Sequence, residues 1–189
     1  MTLYNNKMST NKTGYLELII GPMFSGKTSR IVEIYKQASF CNIPVVVVNH
    51  SIDKRYDDKL LSTHDKIKIP CIQTERIKDV WDEIIKGDVI LINEGQFFED
   101  LYDCVIDMLE DGKKIYICGL DGDFERKKFG SMLDLIPLCD KVSKLTSICS
   151  LCRDGTPGIF SMRLTSEKTQ TVVGSENYIP VCRKCYNKK

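Results

Sequence analysis

The sequence predicts an α/β fold in which a parallel sheet carries helices on both faces. Three observations lead there. Predominantly apolar runs at Tyr15 to Ile20, broken only by Glu17, and at Val45 to Val48, Val89 to Ile92 and Ile115 to Leu120 have strand length and lack polar alternation, as strands buried on both faces do. Helical patterns separate them. Between the first run and the first helical pattern lies Gly21-Pro22-Met23-Phe24-Ser25-Gly26-Lys27-Thr28, which satisfies G-x-x-x-x-G-K-[ST] in full.

The elements follow in order. After the first strand, Ile31, Ile34, Tyr35 and Ala38 mark one face of a helix that starts near Thr28, and Pro44 ends any continuation. Residues 51 to 68 are charged, lack a period and read as an active loop. Ile77 to Ile85 is expected to be helical, with Gly87 as terminator. Leu101, Val105, Met108 and Leu109 mark a further helical face, closed by Gly112. Val142 to Ile148 is expected as a fifth strand. The expected organisation is a disordered lead-in over 1–14, a nucleotide-binding domain over 15–147 and a metal-binding subdomain over 148–189.

Sheets of this kind bind ligands beyond the carboxyl ends of their strands, and the polar signals stand there. In the 21–28 loop, glycines let the backbone wrap a phosphate, and successive N–H groups and the helix N-terminus bind its oxygens. Lys27 is expected between the β- and γ-phosphates of ATP, and the Thr28 hydroxyl on magnesium. The run Leu91-Ile92 ends in Asn93-Glu94-Gly95-Gln96-Phe97-Phe98. Glu94, the first acid after that strand, is a candidate general base toward an acceptor hydroxyl.

The chain has 189 residues, 42% hydrophobic and 28% charged, which suits a packed domain and excludes global disorder. Basic and acidic residues number 27 and 26, a net charge of +1, so no long-range field exists to grasp nucleic acid or an anionic membrane. No apolar run approaches the roughly 20 residues of a membrane helix. The polar start lacks the apolar stretch of a secretory signal, and a reducing, cytoplasmic location is expected. There, cysteine pairs read as metal ligands before disulfides. Of nine cysteines, Cys149 and Cys152, then Cys182 and Cys185, form two C-x-x-C pairs suited to a tetrahedral structural zinc; the alternative is two reduced or redox pairs.

The 21–28 loop, Glu94-Gly95-Gln96-Phe97-Phe98 and Gly119-Leu120-Asp121-Gly122-Asp123-Phe124 resemble the signatures of the type II thymidine kinases, small kinases of animals, many bacteria and poxviruses. Asp53-Lys54-Arg55-Tyr56, Thr63-His64-Asp65, Lys144-Leu145-Thr146 and Val181-Cys182-Arg183-Lys184-Cys185-Tyr186 match as well, so the resemblance runs from about Tyr15 to Tyr186. It implies transfer of a phosphoryl group from ATP, with magnesium, to the 5′-hydroxyl of thymidine. Glu94 matches the catalytic base, Arg55 a phosphate-side arginine, and Asp53 a carboxylate reaching the sugar 3′-hydroxyl. Met23, Phe97, Leu120, Phe124, Phe129 and Tyr178 match residues that enclose the base; Phe98 reads as core. Gln96 and Asn93 belong with the phosphate-side set. Residues 156 to 179, with Val172, Val173 and Gly174 as extended backbone, match a lasso closing over the base, and the four cysteines match a zinc site. A homotetramer and feedback inhibition by thymidine triphosphate are further implications.

One position departs from the pattern: the family normally has Asp before the base Glu, and this chain has Asn93. An amide carries no charge and is expected to hold magnesium, or its water, less firmly. Two other readings stay open: a catalytically weakened nucleotide-binding relative, and a zinc-ribbon nucleic-acid-binding ATPase.

Overall fold

The computed structural model describes residues 13–53, 60–62, 67–172 and 174–188. Its elements are β1 (Tyr15–Ile20), α1 (Lys27–Phe40), β2 (Val45–His50), β3 (Leu60–Ser62), β4 (Lys68–Pro70), β5 (Ile72–Thr74), α2 (Trp81–Ile84), β6 (Val89–Asn93), α3 (Leu101–Glu110) and β7 (Lys114–Gly119). They continue with β8 (Lys141–Lys144), β9 (Ser147–Ile148), β10 (Pro157–Gly158), β11 (Phe160–Arg163), β12 (Tyr178–Val181) and α4 (Arg183–Tyr186).

Six strands form one parallel sheet in the order β5-β2-β6-β7-β1-β8. Alternate side chains of its central strands feed two cores. Leu16, Leu18, Ile90, Ile92, Ile115 and Ile117 pack against Leu101, Val105 and Met108 of α3. Ile19, Val47, Leu91 and Cys118 point the other way, against Ile31, Ile34 and Ala38 of α1. Helices therefore cover both faces, as the predominantly apolar runs require. A third, smaller cluster gathers Cys149, Met162, Val181 and Cys182 near the end of the chain.

The local differences from the sequence-based expectation have identifiable causes. Residues 77–85 form a 3₁₀ turn, Ile77–Val80, followed by the short α2. The buried Asp100 carboxylate accepts the Ile77 and Lys78 N–H groups at 3.1 and 3.0 Å and fixes that tight start. The expected strand over 142–148 divides into β8, in the main sheet, and β9, which pairs with β10. The break falls where Leu145 N–H turns back to the Ile20 carbonyl at 2.8 Å. The expected 51–68 loop contains β3, which pairs antiparallel with β4 just after it, and β5 then adds an edge to the main sheet beside β2.

Candidate active site

The phosphate loop leaves the carboxyl end of β1 and enters α1 through Gly26, which takes φ 84°, a left-handed conformation that glycine adopts without steric cost. The first helical bond runs from Arg30 N–H to Gly26 C=O at 3.0 Å. The N–H groups at the start of a helix have no partner within it, so this end of α1 presents donors and the positive end of its dipole. Lys27 is buried, and its ammonium donates to the Pro22 carbonyl at 2.6 Å. Ser25 Oγ donates to the same carbonyl at 2.8 Å, so the loop is held by its own polar groups.

Glu94 follows β6 in a left-handed conformation, φ 56°. Such geometry is uncommon outside glycine and asparagine and marks a position held by its surroundings. Gln96 holds the Glu94 side chain. Its amide nitrogen donates to Glu94 Oε2 at 2.7 Å, and its amide oxygen accepts from Leu120 N–H at 3.0 Å. Gly119 makes room for it: a Cβ there would stand 2.3 Å from Gln96 Oε1.

Beyond these polar groups is an aromatic wall. Phe97 meets Phe129 edge-on, with ring centroids 5.2 Å apart, and His50 packs against Phe97 at 5.5 Å and Phe98 at 4.8 Å. Burial lowers the His50 pKa from its usual value despite the opposing charges of Glu75 and Glu94. Phe98 is 1% exposed and belongs to the α3-side core, as expected.

Phosphate loop, carboxylate and aromatic wall share one cavity of about 140 Å³, which is space for on the order of ten waters or a small organic ligand. From the phosphate loop it is lined by Met23, Phe24, Ser25, Gly26, Lys27 and Thr28. Asp53, Glu94, Gln96, Phe97, Leu120 and Phe124 continue the lining, and Phe129, Val172, Gly174 and Tyr178 close it. Gly21 and Pro22 are not in that lining: the Pro22 carbonyl accepts the Ser25 and Lys27 bonds, and a Cβ on Gly21 would stand 2.5 Å from the Leu145 carbonyl oxygen. Arg55 and Val173, with the Lys54, Tyr56, Thr63, His64 and Asp65 matches, lie outside the described residues.

Asn93 is placed differently from the expectation that it holds a metal. It is 1% exposed and does not line the cavity. Its amide nitrogen donates to Asn49 Oδ1 at 2.6 Å, and its oxygen accepts from the Cys118 thiol at 2.9 Å. Asn49 in turn donates to Gln73 Oε1 at 3.1 Å, so a chain of amides crosses the sheet from β6 through β2 to β5. Both ends of the Asn93 amide are committed within the protein.

The four paired cysteines converge, with their sulfurs all within 4.8 Å of one another. Cys152 Sγ lies 3.8 Å from Cys182 Sγ and 3.5 Å from Cys185 Sγ. A tetrahedron with metal–sulfur bonds of about 2.3 Å has edges of roughly 3.8 Å, so the donor set fits zinc in type, number and spacing. Burial disfavours a Cys149 thiolate, but the backbone N–H groups of Cys152, Cys182 and Leu151 outweigh it and bring the thiol down to about 6.

Geometry and sequence now bear on the same question. The thymidine kinase family model matches residues 14–186. A thymidine kinase of sheeppox virus is 42% identical over 174 residues, covering 92% of this chain and 97% of the relative. A thymidine kinase of rice is 41% identical, covering 92% of this chain and 66% of the relative. Thymidine kinase 1 of Dictyostelium discoideum is 37% identical, covering 94% and 80%. The chain belongs to the thymidine kinase family.

In this family member, Ser161, Asp123, Gln170 and Arg163 take structural roles that the sequence does not announce. Ser161 Oγ accepts from Met23 N–H at 3.0 Å and ties β11 to the phosphate loop. Asp123 accepts Glu125 N–H and Lys127 N–H on one oxygen, each at 2.9 Å, and the Gln170 amide on the other at 2.8 Å. Arg163 is 1% exposed although its residue type is almost always at the surface. In sequence Arg163 only ends a short strand run, Phe160 to Arg163, between the cysteine pairs, and its alternation with Phe160 and Met162 would send it outward.

Proposed function

We propose that this enzyme transfers the γ-phosphoryl group of ATP to the 5′-hydroxyl of thymidine, giving thymidine monophosphate and ADP. The observation that carries this reading is the shared cavity, which is lined both by Lys27 and Thr28 and by Glu94 with the Phe97, Phe124 and Tyr178 rings. Phosphate-binding groups and an apolar, flat-walled pocket suit the two ends of a phosphoryl transfer to a nucleoside. The names of the relatives supply the nucleoside.

In the reaction, the N–H groups of the 21–28 loop hold the phosphates. Lys27 trades the Pro22 carbonyl for phosphate oxygens and offsets the charge spread over the transferred group. Glu94, steadied by Gln96, accepts the proton of the attacking hydroxyl. Arg55 adds charge on the phosphate side, and Asp53 holds the sugar. Met23, Leu120 and Phe129 complete the base pocket, and the main chain at Val172 and Gly174 covers it, excluding water that would otherwise hydrolyse ATP. Thr28 would hold magnesium, which would supply counter-charge to the phosphates. Cys149, Cys152, Cys182 and Cys185 would hold zinc as a structural ion, four thiolates leaving no position for substrate.

The same reading divides the chain into a nucleotide-binding domain over 15–147 and a zinc-bearing subdomain over 148–189. It places the enzyme in the cytoplasm as a homotetramer inhibited by thymidine triphosphate. The test is a panel of nucleosides incubated with ATP and magnesium, with the monophosphate read by chromatography. Thymidine is expected to be phosphorylated best, and absence of any thymidine-dependent ADP would overturn the reading.

A further inference from the structure

We propose that Arg163 is a positioning residue that builds the nucleoside pocket before any ligand arrives, by holding the 164–172 backbone, Tyr178 and Phe124 in one array. The inference deepens the proposed nucleoside-binding role of this cavity and rests on it for the kinetic consequences alone. Arg163 is the last residue of β11 and sits opposite Tyr178, the first of β12, at the neck where the chain leaves for and returns from 164–177. Leu164 N–H donates to the Asn177 carbonyl at 2.9 Å and closes that neck.

The guanidinium points into the loop. One nitrogen donates to the carbonyls of Glu167, at 3.0 Å, and Thr169. The other donates to the Gln170 carbonyl at 2.9 Å and the Tyr178 hydroxyl at 2.6 Å. Its flat face lies 3.6 Å from the Phe124 ring centroid. One side chain therefore fixes three main-chain carbonyls, a phenol and a ring. Gln170 is held twice, by its carbonyl on Arg163 and by its side chain on Asp123. Gln170, Tyr178 and Phe124 all line the cavity, whereas Arg163 itself does not.

Only arginine combines these contacts. Its planar fork offers five donors in fixed directions and a face that stacks on aromatic rings, whereas a lysine ammonium is a point charge with three donors and no plane. Without it the 164–172 backbone must be ordered at the moment of binding, and that entropy is subtracted from affinity. The chemical step, on Lys27 and Glu94, is left alone.

The experiment compares wild type, Arg163→Lys and Arg163→Ala in two readouts. The first is hydrogen exchange of the 165–172 amides in the ligand-free protein. The second is steady-state kinetics. The expected result is faster exchange across 165–172 and a nucleoside KM raised on the order of 10-fold or more, with kcat and the ATP KM within about twofold of wild type. Millimolar guanidinium is expected to lower the nucleoside KM of Arg163→Ala, and equal sodium chloride is not. Unchanged exchange in Arg163→Lys, or equal loss of kcat and ATP affinity, would overturn the proposal. Should both Arg163 variants fail to fold, Tyr178→Phe replaces them. It removes only the hydroxyl that Arg163 holds, so faster 165–172 exchange without ligand supports the array and unchanged exchange overturns it. A wild type with no thymidine turnover would remove the proposed function, while the exchange comparison still decides the role of Arg163.

Discussion

The Gln96 side chain bridges Glu94 and the strand beside it, its nitrogen 2.7 Å from Glu94 Oε2 and its oxygen 3.0 Å from Leu120 N–H. The carboxylate that accepts the proton in the proposed reaction thus has its direction set by an amide that is itself fixed at both ends. Gln96→Ala is expected to lower kcat about 10-fold or more through this loss of orientation, with little change in the ATP KM. Steady-state kinetics with both substrates varied will check it. Wild-type kcat would mean that Glu94 needs no guide.

Glu94→Gln retains the shape and loses the basicity. The expected fall in kcat is about 10²- to 10⁴-fold, with ATP binding preserved. Single-turnover measurements at saturating ATP separate the two. A variant near wild-type rate would assign the proton to another group or to water.

The cysteine cluster predicts one zinc per chain in protein purified without chelator. Stripping it is expected to lower the melting temperature by at least about 5 °C, because metal binding at such sites is folding energy. The nucleoside KM should rise as well, since β11 and β12 pack on Cys149 and Cys182 in the same small cluster. Elemental analysis and thermal melts on the same sample decide this. A metal-free chain with unchanged melting would refute it.

Asn93→Asp tests whether this position serves metal or architecture. A carboxylate cannot donate to Asn49 Oδ1, and it would be buried at a site 1% exposed. A loss of about 1–3 kcal/mol of stability is expected at neutral pH, easing as the pH falls and the new carboxyl protonates. Denaturant unfolding of both forms at two pH values measures it. Full stability of the Asn93→Asp protein, with higher activity at low magnesium, would return the position to the metal.

His50 makes stability depend on pH. Its folded pKa is lowered from 6.5 by burial, so its contribution is present above 6.5 and is lost as pH falls from there through the folded value. Its Nδ1 also accepts from Ile52 N–H at 3.1 Å, a bond that protonation removes. Melting temperatures at about pH 5.5 and 7.5, on either side of the ordinary histidine value, are expected to differ less in His50→Gln than in wild type. Equal differences would assign the acid sensitivity elsewhere.

Periodicity and apolar runs made the four central strands, α1 and α3 legible, because each is long enough to show its burial pattern. The phosphate loop and the cysteine pairs were legible because their spacing is chemistry. The short elements were not: β5 has three residues, and the Ile77–Val80 turn depends on Asp100, which lies far along the chain. Asn93 read as a metal ligand because sequence shows order and not direction; only the positions of Asn49 and Cys118 show where its amide points. Arg163 was passed over because nothing in its neighbours announces a guanidinium turned inward.

The sheet order has a consequence for how the chain is made. β1, which launches the phosphate loop, pairs on one side with β7 and on the other with β8. Leu16 N–H also waits for the Asp140 carboxylate, 124 positions later. β1 is thus an interior strand whose two sheet partners follow it much later in the sequence. Contacts this remote in sequence slow folding, and domains emerge at about 5–20 residues per second during translation. At that rate Tyr15–Ile20 stands without its sheet partners for seconds of synthesis, until β7 and β8 follow.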